Sequence, residues 1–364
     1  MWFSKTHLEK RRPKFIITDD LHGLVLPHAG TKYTGRIVSH TLRFKPKKQF
    51  RQILILYYPA MSEPNVTVGS MSYYHEYYVV WKIMELACKW WNIKHNIQFI
   101  GVNVAKETVP ELDLNNTFFI VSADFSHYLP LSKALPAENC AAHSIMQRQL
   151  SHRCTKVIDH IKTFKVLNNI IPSNWVLQWV GRTRSRTGFE GVGYLSFLLR
   201  EAADPRIYRP DGYFITAYDN RMTQRECLGK WFNQEGTGWT QRGENIFLKK
   251  VINLAATSSR LTGGRGLSSP ITNYTITYLY RERRNQSFIR GWHGISYGAF
   301  YLPDVMLKNT FDNGKWITNL DVAWPSGDTF NMNDTLSSLR NKAGGENIDY
   351  PFTLYNTRVF HGTL

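Results

Sequence analysis

Four short runs constrain the fold most: Leu24-Val25-Leu26, Ile53–Tyr57, Ile97–Val104 and Phe118–Ser122 are largely apolar at successive positions instead of alternating. A strand is apolar on both faces only where both faces are covered, as in a parallel or mixed sheet between helical layers. Helical periodicity accompanies them. Tyr78, Trp81, Ile83, Leu86 and Trp90 mark one face of a helix over His75–Trp91, and further helices are expected at Glu138–Leu150 and Val192–Ala202. Strands alternating with helices predict an α/β layer architecture with a mixed sheet.

The pattern breaks between Asp204-Pro205 and Asp211-Gly212. A strand at Tyr213–Tyr218, a Gly/Gln/Thr-rich loop over 234–243 and a helix at Asn245–Ser258 follow. Strand-like stretches at Tyr274–Tyr280, Phe300–Leu302 and Leu354–Phe360 then predict a smaller α+β domain. A length of 364 residues accommodates two domains of roughly 150 residues each. The expected division is a basic arm over 1–19, an α/β domain over 20–207 and an α+β domain over 208–364. No stretch approaches ~18 uninterrupted apolar residues, which excludes a membrane-spanning helix.

Charge narrows the partners. The formal net charge is +17, and residues 1–51 hold 12 Lys/Arg against 3 acids, more than half of that excess. Lys10, Arg11 and Arg12 cluster in the arm. Lys45, Lys47 and Lys48 lie in the connector Arg43–Arg51, which interleaves cations with Phe44 and Phe50, and Arg182, Arg184 and Arg186 recur two apart. Such strips track phosphates while aromatic rings stack on bases; the alternative for each is a solvated basic surface. With only Glu9 among the cations of the arm and connector, self-repulsion favours disorder unless a polyanion neutralises them. Nothing points to DNA specificity.

Cys88, Cys140, Cys154 and Cys227 contain no CxxC pair, so neither a zinc ribbon nor a disulfide scaffold is expected, and a reducing compartment is. The opening MWFSKTHLEKRRPKF lacks the apolar core of a secretory signal, and its basic character fits mitochondrial import, with a cytoplasmic location as the alternative.

Two motifs carry a family resemblance. Leu26-Pro27-His28-Ala29-Gly30-Thr31-Lys32-Tyr33-Thr34-Gly35 resembles the PHAGxxYSG signature of the Memo family, and Ser122-Ala123-Asp124-Phe125-Ser126-His127-Tyr128 resembles its S-S-D-F-S-H-W/Y signature. Tyr74-His75-Glu76 echoes its E-H-S segment. The resemblance covers roughly residues 20–200 and implies the α/β sandwich shared with class III extradiol dioxygenases, whose members bind iron or copper through histidines.

The second half resembles an AMMECR-type domain. Gly212-Tyr213-Phe214-Ile215-Thr216 is similar to the family's G-x-F-V-T strand, and Arg225-Glu226-Cys227-Leu228-Gly229 stands where R-G-C-I-G falls. Ala255-Ala256 with Ser259-Arg260, His293-Gly294-Ile295, Tyr301-Leu302-Pro303-Asp304-Val305 and Thr335 to Gly344 follow in the family's order.

The departures matter as much as the matches. The resemblance implies metal ligands at His28, at a histidine past the second strand and at a C-terminal cysteine; Ala60 and Met61 hold the histidine slots and Thr187 the cysteine slot. None of the three is a good ligand. His28, His75, Asp124 and His127 remain as a vestigial pocket. The alternative regroups His28, Asp124 and His127 as a 2-His-1-carboxylate site for iron or copper. Glu226 replaces a hallmark glycine, and Arg225, Cys227 and Gly229 are read as retained without catalysis, Cys227 as an ordinary buried residue. Only 26 residues precede Pro27, fewer than the family carries, and the closing strands are expected to be shortened.

The expectation is a pseudo-enzyme without cofactor: a Memo–AMMECR fusion serving as a structural subunit of a large RNA-containing assembly in the mitochondrial matrix. RNA and neighbouring proteins are its expected partners, and the mitochondrial ribosome is the concrete candidate. Two alternatives stand beside it, an iron- or copper-dependent redox enzyme and a protein–protein adaptor without nucleic acid.

Overall fold

Each of the four apolar runs forms a strand of one sheet; three are buried at nearly every position, whereas the edge strand Gln98–Asn103 is buried only at its end. The computed structural model describes residues 2–59, 66–93, 95–185, 191–232, 237–257, 270–282, 287–308, 310–312, 315–317, 332–345 and 350–364. The chain forms two compact units that divide between Glu201 and Ala202, earlier than the boundary expected at 207.

In the first unit the order is α1 (Lys5–Glu9), β1 (Ile16–Thr18), β2 (Leu21–Leu26), α2 (Thr31–Leu42), β3 (Phe44–Pro46) and β4 (Gln52–Tyr57). The hairpin β5 (Val66–Val68) and β6 (Met71–Tyr73) follows, then α3 (His75–Trp90), β7 (Gln98–Asn103), β8 (Thr117–Ser122) and β9 (His127–Leu129). Helix α4 (Leu131–Met146), a 3-10 turn at Arg153–Val157, α5 (Ile161–Ile170), β10 (Trp175–Arg184) and β11 (Gly191–Glu201) complete it. The main sheet runs β10-β11-β2-β8-β4-β7, with β9 on β11. Strands β2, β8, β4 and β7 are parallel, whereas β11 runs antiparallel to β2 and to β10. The sheet is therefore mixed. Gly23 of β2 has to be glycine, because a Cβ there would strike the Phe119 backbone and Cβ.

Three expectations are corrected. Val192–Ala202 is not helix: β11 occupies Gly191–Glu201, buried at most positions between β10 and β2. A continuous apolar run does not separate a buried strand from a buried helix by period alone. Helix α4 begins at Leu131, because Pro136, which reads as a helix breaker, is accommodated inside it.

The third correction concerns the arm, which is ordered. Leu8 is fully buried, the Ser4 N–H donates to Thr31 Oγ1 at 2.9 Å, and the Thr31 N–H donates to the Trp2 carbonyl at 2.9 Å. Acids outside the cationic stretches contribute: Lys47 meets Asp19 at 3.0 Å, and within the arm Lys5 meets Glu9 at 3.1 Å. Apolar docking of the arm overcomes the surface repulsion that sequence alone brings into view.

The second unit comprises α6 (Pro205–Tyr208), β12 (Gly212–Asp219), β13 (Gln224–Trp231), α7 (Gln241–Thr257), β14 (Ile271–Arg281), β15 (His293–Tyr297) and β16 (Ala299–Tyr301). Helix α8 (Pro303–Lys308), the pair β17 (Thr310–Asp312) and β18 (Lys315–Ile317), α9 (Met332–Lys342) and β19 (Thr353–Thr363) follow. Its antiparallel sheet runs β13-β12-β14-β19-β15-β16. Tyr213, Ile215, Ala217, Ile276 and Tyr278 of the sheet pack with Val251 and Ala255 of α7. Among the described residues no helix is long and apolar enough to cross a membrane.

Candidate functional site

The carboxyl ends of β2, β4 and β8 meet at one pole of the first unit, where open α/β sheets commonly bind ligands. His28 follows β2, Asp124 follows β8, Tyr58 follows β4, and His75 opens α3. The His28 backbone N–H donates to Asp124 Oδ1 at 3.0 Å. Ser122 Oγ donates its single proton to the Glu76 carbonyl at 2.7 Å, so at 3.1 Å it accepts from His28 Nδ1–H. His28 Nε2 faces two carboxylates, Asp159 Oδ2 at 3.4 Å and Asp124 Oδ2 at 3.7 Å. Burial opposes charge on this imidazole, but Asp124 and Asp159 outweigh it and raise its pKa to about 9. Ser122 thus engages Nδ1, and the two carboxylates favour the charged form of the ring.

Sequence reading missed Asp159 and His160, which stand at the entrance to α5. Their only local signal is an Asp-His pair just before a helix. Burial works against the Asp159 charge, yet its imidazole neighbours His160 and His28 hold the carboxyl well below the usual range. His160 Nε2 lies 3.1 Å from Asp159 Oδ2, and Tyr58 stacks on the His160 ring at 4.7 Å. His75 is buried, edge-on to His28 at 5.3 Å and stacked under Trp2 of the arm at 4.9 Å. His127 is exposed on β9, and its Nδ1 donates to the Phe125 carbonyl at 2.7 Å.

Among the described residues, the donors of this group do not converge on one point as a resident iron or copper ion requires. His28 Nδ1 is taken up by Ser122 Oγ, and its Nε2 faces Asp159 and Asp124 at 3.4 and 3.7 Å. Asp159 links His28 and His160 in a chain instead of closing three donors on one point. Among the described residues, three ligand atoms come within 4.8 Å of one another only at Cys140, His152 and Cys154. Ala60, Met61 and Thr187 lie outside the described residues.

The opposite pole is basic. Strands β1 and β3 pair in parallel, with Ile17 opposite Lys45 and Thr18 opposite Pro46, so the arm and the connector lie side by side near the amino ends of β2, β4 and β8. Lys10, Arg11, Arg12, Lys14, Lys47, Lys48 and Arg51 are exposed and Lys45 is half-buried. Arg12 reaches the Trp90 carbonyl at 3.5 Å, and Lys48 Nζ donates to Asn115 Oδ1 at 3.1 Å. A groove of about 480 Å³ opens beside them, lined by Gln49, Phe50, Arg51, His95, Asn96 and Asn116. The expected stacking aromatics are corrected: Phe44 and Phe50 are buried, Phe50 against Phe118 at 4.8 Å. Alternation along β3 turns Phe44 and Pro46 inward and leaves Lys45 outward.

Arg182 and Arg184 are corrected as well. Their two-residue spacing puts them on one face of β10, but α4 covers that face. Arg182 bonds Glu138 at 2.5 Å and Asn139 at 2.8 Å, and Arg184 bonds Glu138 at 2.7 Å. Both are buried and present no cation to a phosphate. Arg186 lies outside the described residues.

In the second unit, Arg225 and Cys227 lie on β13, where Arg225 closes on Asp219 at 2.7 Å. Cys227 accepts from Thr216 Oγ1 at 3.3 Å, and burial pushes its thiol up to about 11. Glu226 pairs with Ala217 where the β12–β13 ladder shifts register, but its backbone is not left-handed, so the position does not require glycine for its φ. Gly229 is required by close approach, since a Cβ would enter the Phe214 ring at 2.6 Å.

Compared with known protein families and with curated proteins, the chain matches none.

Proposed function

We propose that the chain is a non-catalytic fusion of a Memo-type and an AMMECR-type domain that serves as a structural subunit of a large RNA-containing assembly, with the mitochondrial ribosome as the concrete candidate. The observation that carries this reading is the β1–β3 pairing, which joins two basic segments far apart in sequence into one exposed cationic face. Amide side chains around the adjoining groove supply donors and acceptors for base edges, and the cations supply phosphate contacts. The packing of His28 among Ser122, Asp124 and Asp159 supports a structural, not catalytic, role for the opposite pole, and among the described residues the iron- or copper-dependent alternative lacks a convergent donor set there. The test replaces Lys10, Arg11, Arg12, Lys45, Lys47 and Lys48 with Gln and compares sedimentation of the native and substituted proteins in cell extract. Release of the substituted protein from a ribonuclease-sensitive particle is the expected result. Unchanged association, or association with a particle that ribonuclease leaves intact, would favour the adaptor reading.

A further inference from the structure

The first unit contains a second cluster of chemically competent side chains, and neither the basic face nor the His28 group uses it. Cys140 lies on α4, and Cys154 lies in the 3-10 turn Arg153–Val157 that packs against that helix. The two are joined as a disulfide with their Cα atoms 5.8 Å apart, a pairing that reading by spacing did not foresee. His152 precedes the turn and points its Nδ1 at both sulfurs, 2.9 Å from Cys154 Sγ and 3.6 Å from Cys140 Sγ. That same Nδ1 accepts the Cys154 backbone N–H at 3.3 Å. It therefore carries a lone pair instead of a proton, the form of imidazole that binds metal, and coordination would replace the Cys154 N–H hydrogen bond.

We propose that Cys140, His152 and Cys154 form a redox-switched zinc site, a disulfide when oxidised and a holder of one Zn²⁺ when reduced. Two thiolates and one imidazole are a soft donor set that selects zinc among abundant divalent ions. In a tetrahedral site with the usual zinc–sulfur and zinc–nitrogen bond lengths, neighbouring donors stand roughly 3.5–3.8 Å apart. The three ligand atoms already lie within 4.8 Å of one another, and the main separation that has to grow is the one between the sulfurs, which reduction releases. All three residues are half-buried, so the fourth position is open to water. Ser144, one turn beyond Cys140 on α4, places its hydroxyl 3.3 Å from Cys154 Sγ, where it donates to a thiolate and fixes its direction, as outer partners of metal ligands do.

The chemistry balances with an external dithiol. The dithiol gives two electrons and two protons, the sulfur–sulfur bond breaks to two thiols, and the dithiol becomes its own disulfide. Zinc then displaces the two thiol protons to solvent. In a reducing compartment a half-exposed pair of this kind rests in the reduced, metal-binding form. This inference does not depend on the RNA-binding reading.

The test uses the full chain, prepared oxidised and after reduction by a phosphine, and titrated with Zn²⁺ against a chromophoric chelator. Co²⁺ serves as the spectroscopic substitute. The oxidised protein is expected to take up none. The reduced protein is expected to bind about one equivalent and, with Co²⁺, to show thiolate charge-transfer bands and the visible bands of a tetrahedral ion. Cys140→Ser and Cys154→Ser abolish uptake. His152→Gln keeps both sulfurs and the fold, checked by circular dichroism, and weakens binding by at least about tenfold, the loss that even an outer partner of a ligand causes. His28→Gln leaves zinc uptake unchanged. Failure of the reduced wild type to bind zinc stoichiometrically would overturn the proposal, as would zinc retained in both cysteine variants.

Discussion

Arg182 meets Glu138 at 2.5 Å with neither side chain exposed to solvent. Arg184 adds a second guanidinium on the other carboxylate oxygen at 2.7 Å, and Ser126 Oγ donates to the same oxygen. One carboxylate thus organises two cations between α4 and the sheet. Removing one partner of a buried ion pair costs about 3–5 kcal/mol, because the other charge is stranded. Glu138→Ala is expected to lose at least that much in denaturant unfolding, and Glu138→Gln most of it. Gly193→Ala is expected to destabilise as well, since its Cβ would collide with the Glu138 carboxylate, which the two arginines prevent from moving. A Glu138→Ala protein with unchanged unfolding would remove this account of the core.

His28 sets a pH dependence on the alkaline side. Its pKa rises from the ordinary 6.5 to about 9 in the folded chain, so the folded state holds a proton that the unfolded state releases first. The stabilisation is complete below about pH 6.5 and is lost as pH rises through about 9. Melting temperatures from pH 6 to 10 should fall more steeply for wild type than for His28→Gln. At pH 7 the substitution is expected to cost about 1–3 kcal/mol, the penalty for stranding buried hydrogen-bond partners.

Asp159 acts at the acid end. Its carboxyl is held below the ordinary 3.8 despite its burial, so its contribution is present above about pH 4 and is lost as pH falls further. Asp159→Asn should flatten the acid limb of the stability profile and, by removing one of the two carboxylates facing His28, bring the His28 pKa down. Proton NMR titration of the His28 ring measures that second effect directly.

RNA affinity should carry a salt slope that divides between the two segments of the basic face. Each phosphate contact contributes about −0.7 to log K against log salt on a single strand, and about −0.9 on a duplex. Replacing Lys10, Arg11 and Arg12 with Gln, or Lys45 and Lys48 with Gln, should each lower the slope. Lys47→Gln should change it least, because Asp19 stands 3.0 Å away. Equal slopes for all three proteins would separate the cations from the phosphates.

Cys227 is expected to be inert in the folded chain. Burial holds its thiol near 11 and that of Cys88 near 12, far above the range in which a thiolate nucleophile works. Iodoacetamide at pH 8 should leave both unmodified until denaturant is added. Rapid native alkylation of Cys227 would revive a catalytic reading of its strand.

The sequence by itself determined much of the local structure. Ile53–Tyr57 and Phe118–Ser122 are apolar at every or nearly every position and short, so only a strand covered on both faces suits them, and β4 and β8 follow within a residue. The helix at His75 was equally legible, because its apolar positions keep helical spacing over four turns. Thr31–Leu42 was not, since its threonines, its serine and Gly35 favour helix weakly, and packing alone makes α2. His28 and Asp124 were legible as a pair at strand ends, yet Asp159, which faces His28 Nε2 at 3.4 Å, arrives from 131 residues further along the chain. Arg182 and Arg184 show the limit most plainly. Their spacing establishes that they share a face, but whether that face meets water or Glu138 depends on which helix the fold lays over it. Covalent neighbours settle φ, ψ and side-chain direction; burial and electrostatic partners belong to segments brought together only by the tertiary structure.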